Sequence, residues 1–166
     1  GIHYRQGQHE SKVEYPDAAS CGGVVGREGV SESLKDVAIM AVRGKELAVA
    51  SVDGLFGHNS HEKGRELAQT LLEASADINM VYLLASGIDF ANDRFIAGLE
   101  EIFGPNVTFF GATTSDNMRG IKTFQAIDNK VMEHGAVAVG FFDPTLEIDT
   151  QATHGFVAEG EPLQVT

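Results

Sequence analysis

Cys21 is the chain's one cysteine. No internal disulfide can form, and the composition fits a reducing compartment. Tryptophan is missing, and proline occurs only four times. Positive charge is scarce: 12 Lys plus Arg stand against 24 acids, giving a net charge of −12. A surface of that sign repels phosphate backbones and anionic headgroups, which argues against non-specific binding to nucleic acid or a lipid surface. No apolar run approaches the roughly 20 residues needed to cross a bilayer, and no signal peptide is visible. The expectation is a soluble cytoplasmic protein with no membrane partner. The chain starts at Gly1 rather than at methionine, as an excised or processed piece would.

What the chain does have is core material. Its 166 residues are 43% hydrophobic, ten of them Phe, enough for one domain with a sizeable core. The 19 glycines suit a fold with many tight strand ends. Residues 1–20 are weakly patterned and read as loop with one short extended piece. Residues 21–166 read as the domain proper.

Within that domain, Ser20–Gly26 is glycine-rich, but it lacks the lysine of a phosphate loop and no G-x-G-x-x-G follows a strand. Val37–Val42 is an unbroken apolar run of strand length. Glu46–Leu55 alternates more loosely and reads as a second strand, joined to the first by a hairpin at Arg43-Gly44-Lys45. Asn59, with Glu62 three residues on, has the form of a capping box. Leu67, Ala68, Leu71, Leu72 and Ser75 then make a helical stripe. Met80–Ala85 reads as a buried strand. A second helix, about Phe90–Phe103, turns Phe95, Ile96, Leu99 and Ile102 inward and stops at Gly104-Pro105. After Gly120 come Ile121–Ile127, Lys130–Glu133, Ala136–Phe142 and Leu146–Thr153, strands with no room for helices, with a tight turn at Asp128-Asn129. The fold class is α/β: a βαβαβ core followed by an antiparallel meander, hence a mixed sheet with helices packed on it.

Val107–Met118 stands at the centre of this arrangement. Four β-favouring residues run into Gly111, and small or polar residues follow. A strand that breaks at glycine and then presents hydroxyls and an acid is a common way for an α/β sheet to meet a ligand. Gly111 would let the backbone turn or let something approach closely. The competing reading is a polar loop in which Asp116 or Asn117 caps a turn.

Catalytic signatures are weak. Ser86-Gly87 lacks the G-x-S-x-G elbow, Cys21 has no neighbouring motif, and Asp89, Asp93 and Asp116 show no pairing for acid–base work. The expectation is a non-enzymatic protein. His58 and His61 lie three apart at a helix start with no third ligand nearby, so no metal site is expected. His134 and His154 each precede a glycine and read as isolated histidines.

The order of these segments resembles the N-terminal half of the FIST sensory domain. The likeness is carried by Ser20–Val25 with Gly29-Val30-Ser31, Gly64–Ala68, Leu83–Ile88 with Asn92 and Gly98-Leu99, and Phe110–Asp116. Gly135–Ala138, Thr153–Phe156 and Pro162–Thr166 complete it. The family's first strand and helix are not recognisable in Gly1–Ser20, and the second half of the sensor is absent. The resemblance implies a small-ligand sensory domain, the ligand an amino acid. Its partners would be a C-terminal FIST half and an output module such as a histidine kinase, a cyclic-dinucleotide enzyme or a chemotaxis receptor.

On that reading Gly111 allows close approach, while Thr113, Thr114, Ser115 and Asn117 hydrogen-bond the ligand. Asp116 pairs a cationic group such as an α-ammonium, and His154 completes the rim. Two alternatives stand beside it. One is a haem protein of the nitric-oxide-sensing kind, with His58, His61, His134 or His154 as axial ligand. The other is a protein-interaction scaffold.

Overall fold

A computed structural model describes residues 17–26, 29–31, 42, 44–151, 157 and 160. Val37–Val42, read above as a strand, lies outside these except for Val42. So does Arg43 of the hairpin expected between it and the next strand.

The centre is a four-stranded mixed sheet built from β4 (Leu47–Asp53), β5 (Met80–Ala85), β6 (Thr108–Thr113) and β9 (Gly135–Phe141), in the order β4-β9-β5-β6. β9 runs antiparallel to both β4 and β5, so those two are parallel to each other, and β6 is parallel to β5. The connections are α1 (Ser60–Ala74) and α2 (Asn92–Phe103). The βαβαβ core is thus present, with β9 inserted into its middle.

Period-2 alternation decides which face is covered. Ala48, Ala50 and Val52 of β4, Val81, Leu83 and Ala85 of β5, and Ala136 and Ala138 of β9 are all buried. They meet Leu67, Ala68 and Leu71 of α1 and Phe95 and Leu99 of α2 in one core. Small residues on the strands and large ones on the helices let the layers interlock. The helices themselves touch backbone to backbone. A Cβ at Gly64 would meet the Phe95 carbonyl, and one at Gly98 would meet the His61 carbonyl.

Two smaller sheets flank this layer. β1 (Asp17–Ala19), β7 (Gln125–Ile127) and β8 (Lys130–Met132) form an antiparallel trio in the order β1-β7-β8. β2 (Val24–Gly26) and β3 (Gly29–Ser31) form a hairpin. The Asp128-Asn129 turn joins β7 to β8 with Asp128 at φ 51°.

Three expectations need correction. Asn59 precedes α1 but makes no cap bond to it. Its Oδ1 accepts from the Phe56 amide at 2.8 Å and its Nδ2 donates to the Gly54 carbonyl at 2.9 Å, so it closes the loop before the helix. Leu146–Gln151 is not a strand, although Leu146 and Ile148 alternate with Glu147 and Asp149. The third concerns Gly111. β6 does not break there but continues to Thr113, with Gly111 opposite Leu83 and Ala112 opposite Leu84. At φ +151°, a Cβ on Gly111 would run into the Leu83 carbonyl. What approaches this glycine is the neighbouring strand.

Candidate functional site

Because β4, β5 and β6 are parallel, their carboxyl ends lie at one end of the sheet. In open α/β sheets that end is where ligands are received. Three connections meet there: 54–59 after β4, 86–91 after β5, and 114–124 after β6. The start of β9, at His134-Gly135, lies beside them.

The connections are stitched together from within. Ser60 is buried, donates to the Phe56 carbonyl at 2.7 Å and accepts from the Ala91 amide at 3.0 Å, tying the first connection to the second. Ser86, fully buried at the end of β5, donates to the Ile88 carbonyl at 3.0 Å. Thr123 accepts from the Gly87 amide at 3.3 Å. Gln125, also fully buried, donates to Thr114 Oγ1 at 2.6 Å, and its Oε1 accepts from the Gly135 amide at 3.2 Å. One side chain of β7 therefore fixes the end of β6 and the start of β9. A buried polar network of this kind holds only while its members have partners. On the outer side, Lys130 reaches Asp53 at 2.9 Å, and this ammonium is the main cause holding the Asp53 carboxyl below its ordinary range.

The anticipated site residues divide along this seam. Thr113 is the exposed last residue of β6. Thr114 is buried, with its hydroxyl oxygen taken up by Gln125 and its amide donating to the Ala85 carbonyl at 2.8 Å. Ser115 is partly buried and donates its amide to the Ser20 carbonyl at 3.0 Å. Its hydroxyl lies where a Cβ on Gly22 would come within 3.3 Å. Asn117 is exposed at φ 59°, and Met118 follows at φ 61°. His154 lies outside the described residues.

Asp116 turns onto its own loop. Oδ1 accepts from the Gly120 amide at 2.9 Å, and Oδ2 accepts from Ile121 at 2.7 Å and Lys122 at 3.2 Å. These amide bonds, Ile121's foremost, hold the carboxyl below its ordinary value. A depressed folded-state pKa means the brace is complete above the unfolded carboxyl range and is lost as pH falls through the folded value. In an NMR titration, the Gly120 and Ile121 amide protons should therefore move upfield together, with a midpoint below 3.8. A midpoint at or above the ordinary carboxyl value would show that the bonds are not formed.

Sequence reading missed Ser86, Thr123 and Gln125. The signal was present: Thr123 and Gln125 share one face of a strand-like run, and alternation puts both inward. It also missed an aromatic stack, in which Phe56 lies 4.6 Å from His134 and 5.9 Å from His58, ring centroid to centroid. His134 Nδ1 is buried and has no hydrogen-bond partner.

A concavity lies away from this end. A hollow of ≈ 320 Å³ is lined by Met80, Phe110 and residues 146–151. No described histidine lines it. His61 is held by Glu101 at 3.2 Å, and no group of three or more metal-ligating side chains occurs among the described residues.

The model of the FIST N domain matches residues 9–166. The chain belongs to this family. No curated protein and no solved structure matches it. As a FIST N domain it is of the sensory kind found in signalling proteins. None of the described helices is long and apolar enough to cross a membrane.

Proposed function

We propose that this FIST N domain is a non-enzymatic, cytoplasmic sensor of a small polar ligand, an amino acid being the class that suits it. The observation that carries the reading is topological: three parallel strands deliver their polar connections to one end of the sheet. Thr113 and Asn117 face solvent there and would supply hydroxyl and amide groups. Asp116 contributes by shaping the loop. Three backbone amides occupy most of its acceptor sites, leaving room on Oδ1 for one further donor such as an α-ammonium. Thr114 acts from beneath, by fixing the loop's root to Gln125.

Signalling requires the ligand to bind two arrangements unequally. The seam between the main sheet and the β1-β7-β8 sheet is the natural place for two arrangements, because it is held by a few named hydrogen bonds. A C-terminal FIST half and an output module would read the change.

Thermal-shift screening of amino acids tests this. A ligand that raises the wild-type midpoint should lose most of that shift in Thr113→Val and Asn117→Ala. A ligand whose shift survives in both variants would move the site elsewhere.

A further inference from the structure

The connection after β6 ends in a shape that ligand binding does not require. Met118 is 97% exposed and Ile121 70% exposed, among the most exposed large apolar side chains described. An exposed apolar tip on a loose loop would mean little. This loop is braced: Asp116 grips three of its amides, and Asn117 and Met118 both hold the left-handed conformation that non-glycine residues rarely adopt. Between the two apolar residues stands Arg119. Among the described residues it joins no ion pair. The loop is a fixed apolar projection carrying a free positive charge, on a chain whose net charge is −12.

The hollow near the other end of β5 and β6 has the opposite form. Its lining includes the apolar Met80, Phe110, Leu146 and Ile148 and the acidic Glu147 and Asp149. Neither acid joins an ion pair among the described residues. Phe110 is 39% and Leu146 38% exposed, so the apolar lining is open to a partner. Met80 begins β5 and Phe110 lies in the first half of β6, whereas the projection follows the end of β6. A copy's own loop therefore points away from its own hollow.

We infer that copies of this chain associate head to tail, the 116–122 loop of one seated in the Met80–Phe110–Leu146–Ile148 hollow of the next. Arg119 then faces Glu147 and Asp149 of the receiving copy. The contact is heterologous, so it propagates into a ring or a short filament rather than closing as a two-fold dimer.

Sedimentation velocity over a range of protein concentrations should show reversible association beyond the monomer. Two double variants separate the surfaces. Met118→Asp with Arg119→Glu removes the projection and leaves the hollow. Glu147→Lys with Asp149→Lys reverses the hollow's charge and leaves the projection. Each alone should associate about tenfold more weakly or worse, the loss typical of removing a central anchor. Mixed together, they match one unchanged projection with one unchanged hollow, and the acidic projection of the first variant also meets the basic hollow of the second, so association should be recovered. All four positions are exposed, and an unchanged thermal midpoint will confirm that the variants fold. A wild type that stays monomeric at every concentration overturns the inference. So does association that the variants leave unchanged, or a mixture that fails to pair.

Discussion

Gly111→Ala is expected to lower stability by more than about 3 kcal/mol, well above the typical cost of a single substitution. A Cβ at this position would come within 2.7 Å of the Leu83 carbonyl carbon and 2.9 Å of its nitrogen, and nearer still to the oxygen. None of these is the end of a flexible side chain. They are the backbone of β5, held by β9 on its other side. β5 cannot retreat without disturbing the sheet's centre, so β6 must give way and its pairing from Gly111 to Thr113 is lost. Gly104→Ala is the control. Gly104 also has a positive φ, +76°, but a Cβ there meets nothing within 4 Å. It should cost only the conformational term, about 1–3 kcal/mol, because ψ −173° at that φ is a region almost reserved for glycine. Urea midpoints of the two variants separate steric from conformational cost. Equal losses would mean that strand contact at Gly111 is not what the glycine serves.

That comparison shows why a glycine is hard to read from sequence. The same residue serves a turn, a ligand or a neighbouring strand, and only the third dimension decides among them. Local patterns were legible where local physics decides. Met80–Ala85 is a strand with the bounds expected, because an apolar run between polar residues leaves few alternatives. The α1 stripe and the α2 face follow helical spacing, and Leu67, Leu71, Phe95 and Leu99 are fully buried. The mixed sheet was foreseeable from the order of elements.

The insertion of β9 between β4 and β5 was not, because it depends on pairing across more than 50 residues of chain with β5 and more than 80 with β4. Leu146–Gln151 shows the complementary failure. Alternation supplied one apolar face, but a strand also needs an edge with free backbone groups. Among the described residues that segment pairs with none. Asn59 failed by competition: its amide is satisfied by Phe56 and Gly54 before the helix can use it. The polar loop past β6 was legible, and the orientation of its side chains was not. Thr114 and Asp116 look equivalent in sequence, yet one is committed to Gln125 and the other to its own loop.

Gln125 is the single side chain on which the seam between the sheets most depends, and Gln125→Leu should cost about 3 kcal/mol. Leucine has similar bulk, so cavity formation is a minor part. The larger part is the two groups left behind. The Gly135 amide loses its acceptor and the Thr114 hydroxyl oxygen loses its donor, both where water has little access. Leaving a buried polar group unmatched costs about 1–3 kcal/mol each, far more than the net gain from making the bond. A double-mutant cycle follows from that asymmetry. Thr114→Val on its own leaves the Gln125 amide only its long 3.5 Å contact to the Thr123 hydroxyl. Combined with Gln125→Leu it strands neither member of that pair, so the double variant should be less destabilised than the sum of the singles, by about 1 kcal/mol or more. Hydrogen exchange at the Gly135 amide gives the local readout, rising in Gln125→Leu and staying near wild type in Thr114→Val. If the two substitutions simply add, the contact between them carries no stability, and the two sheets are joined by something other than this side chain.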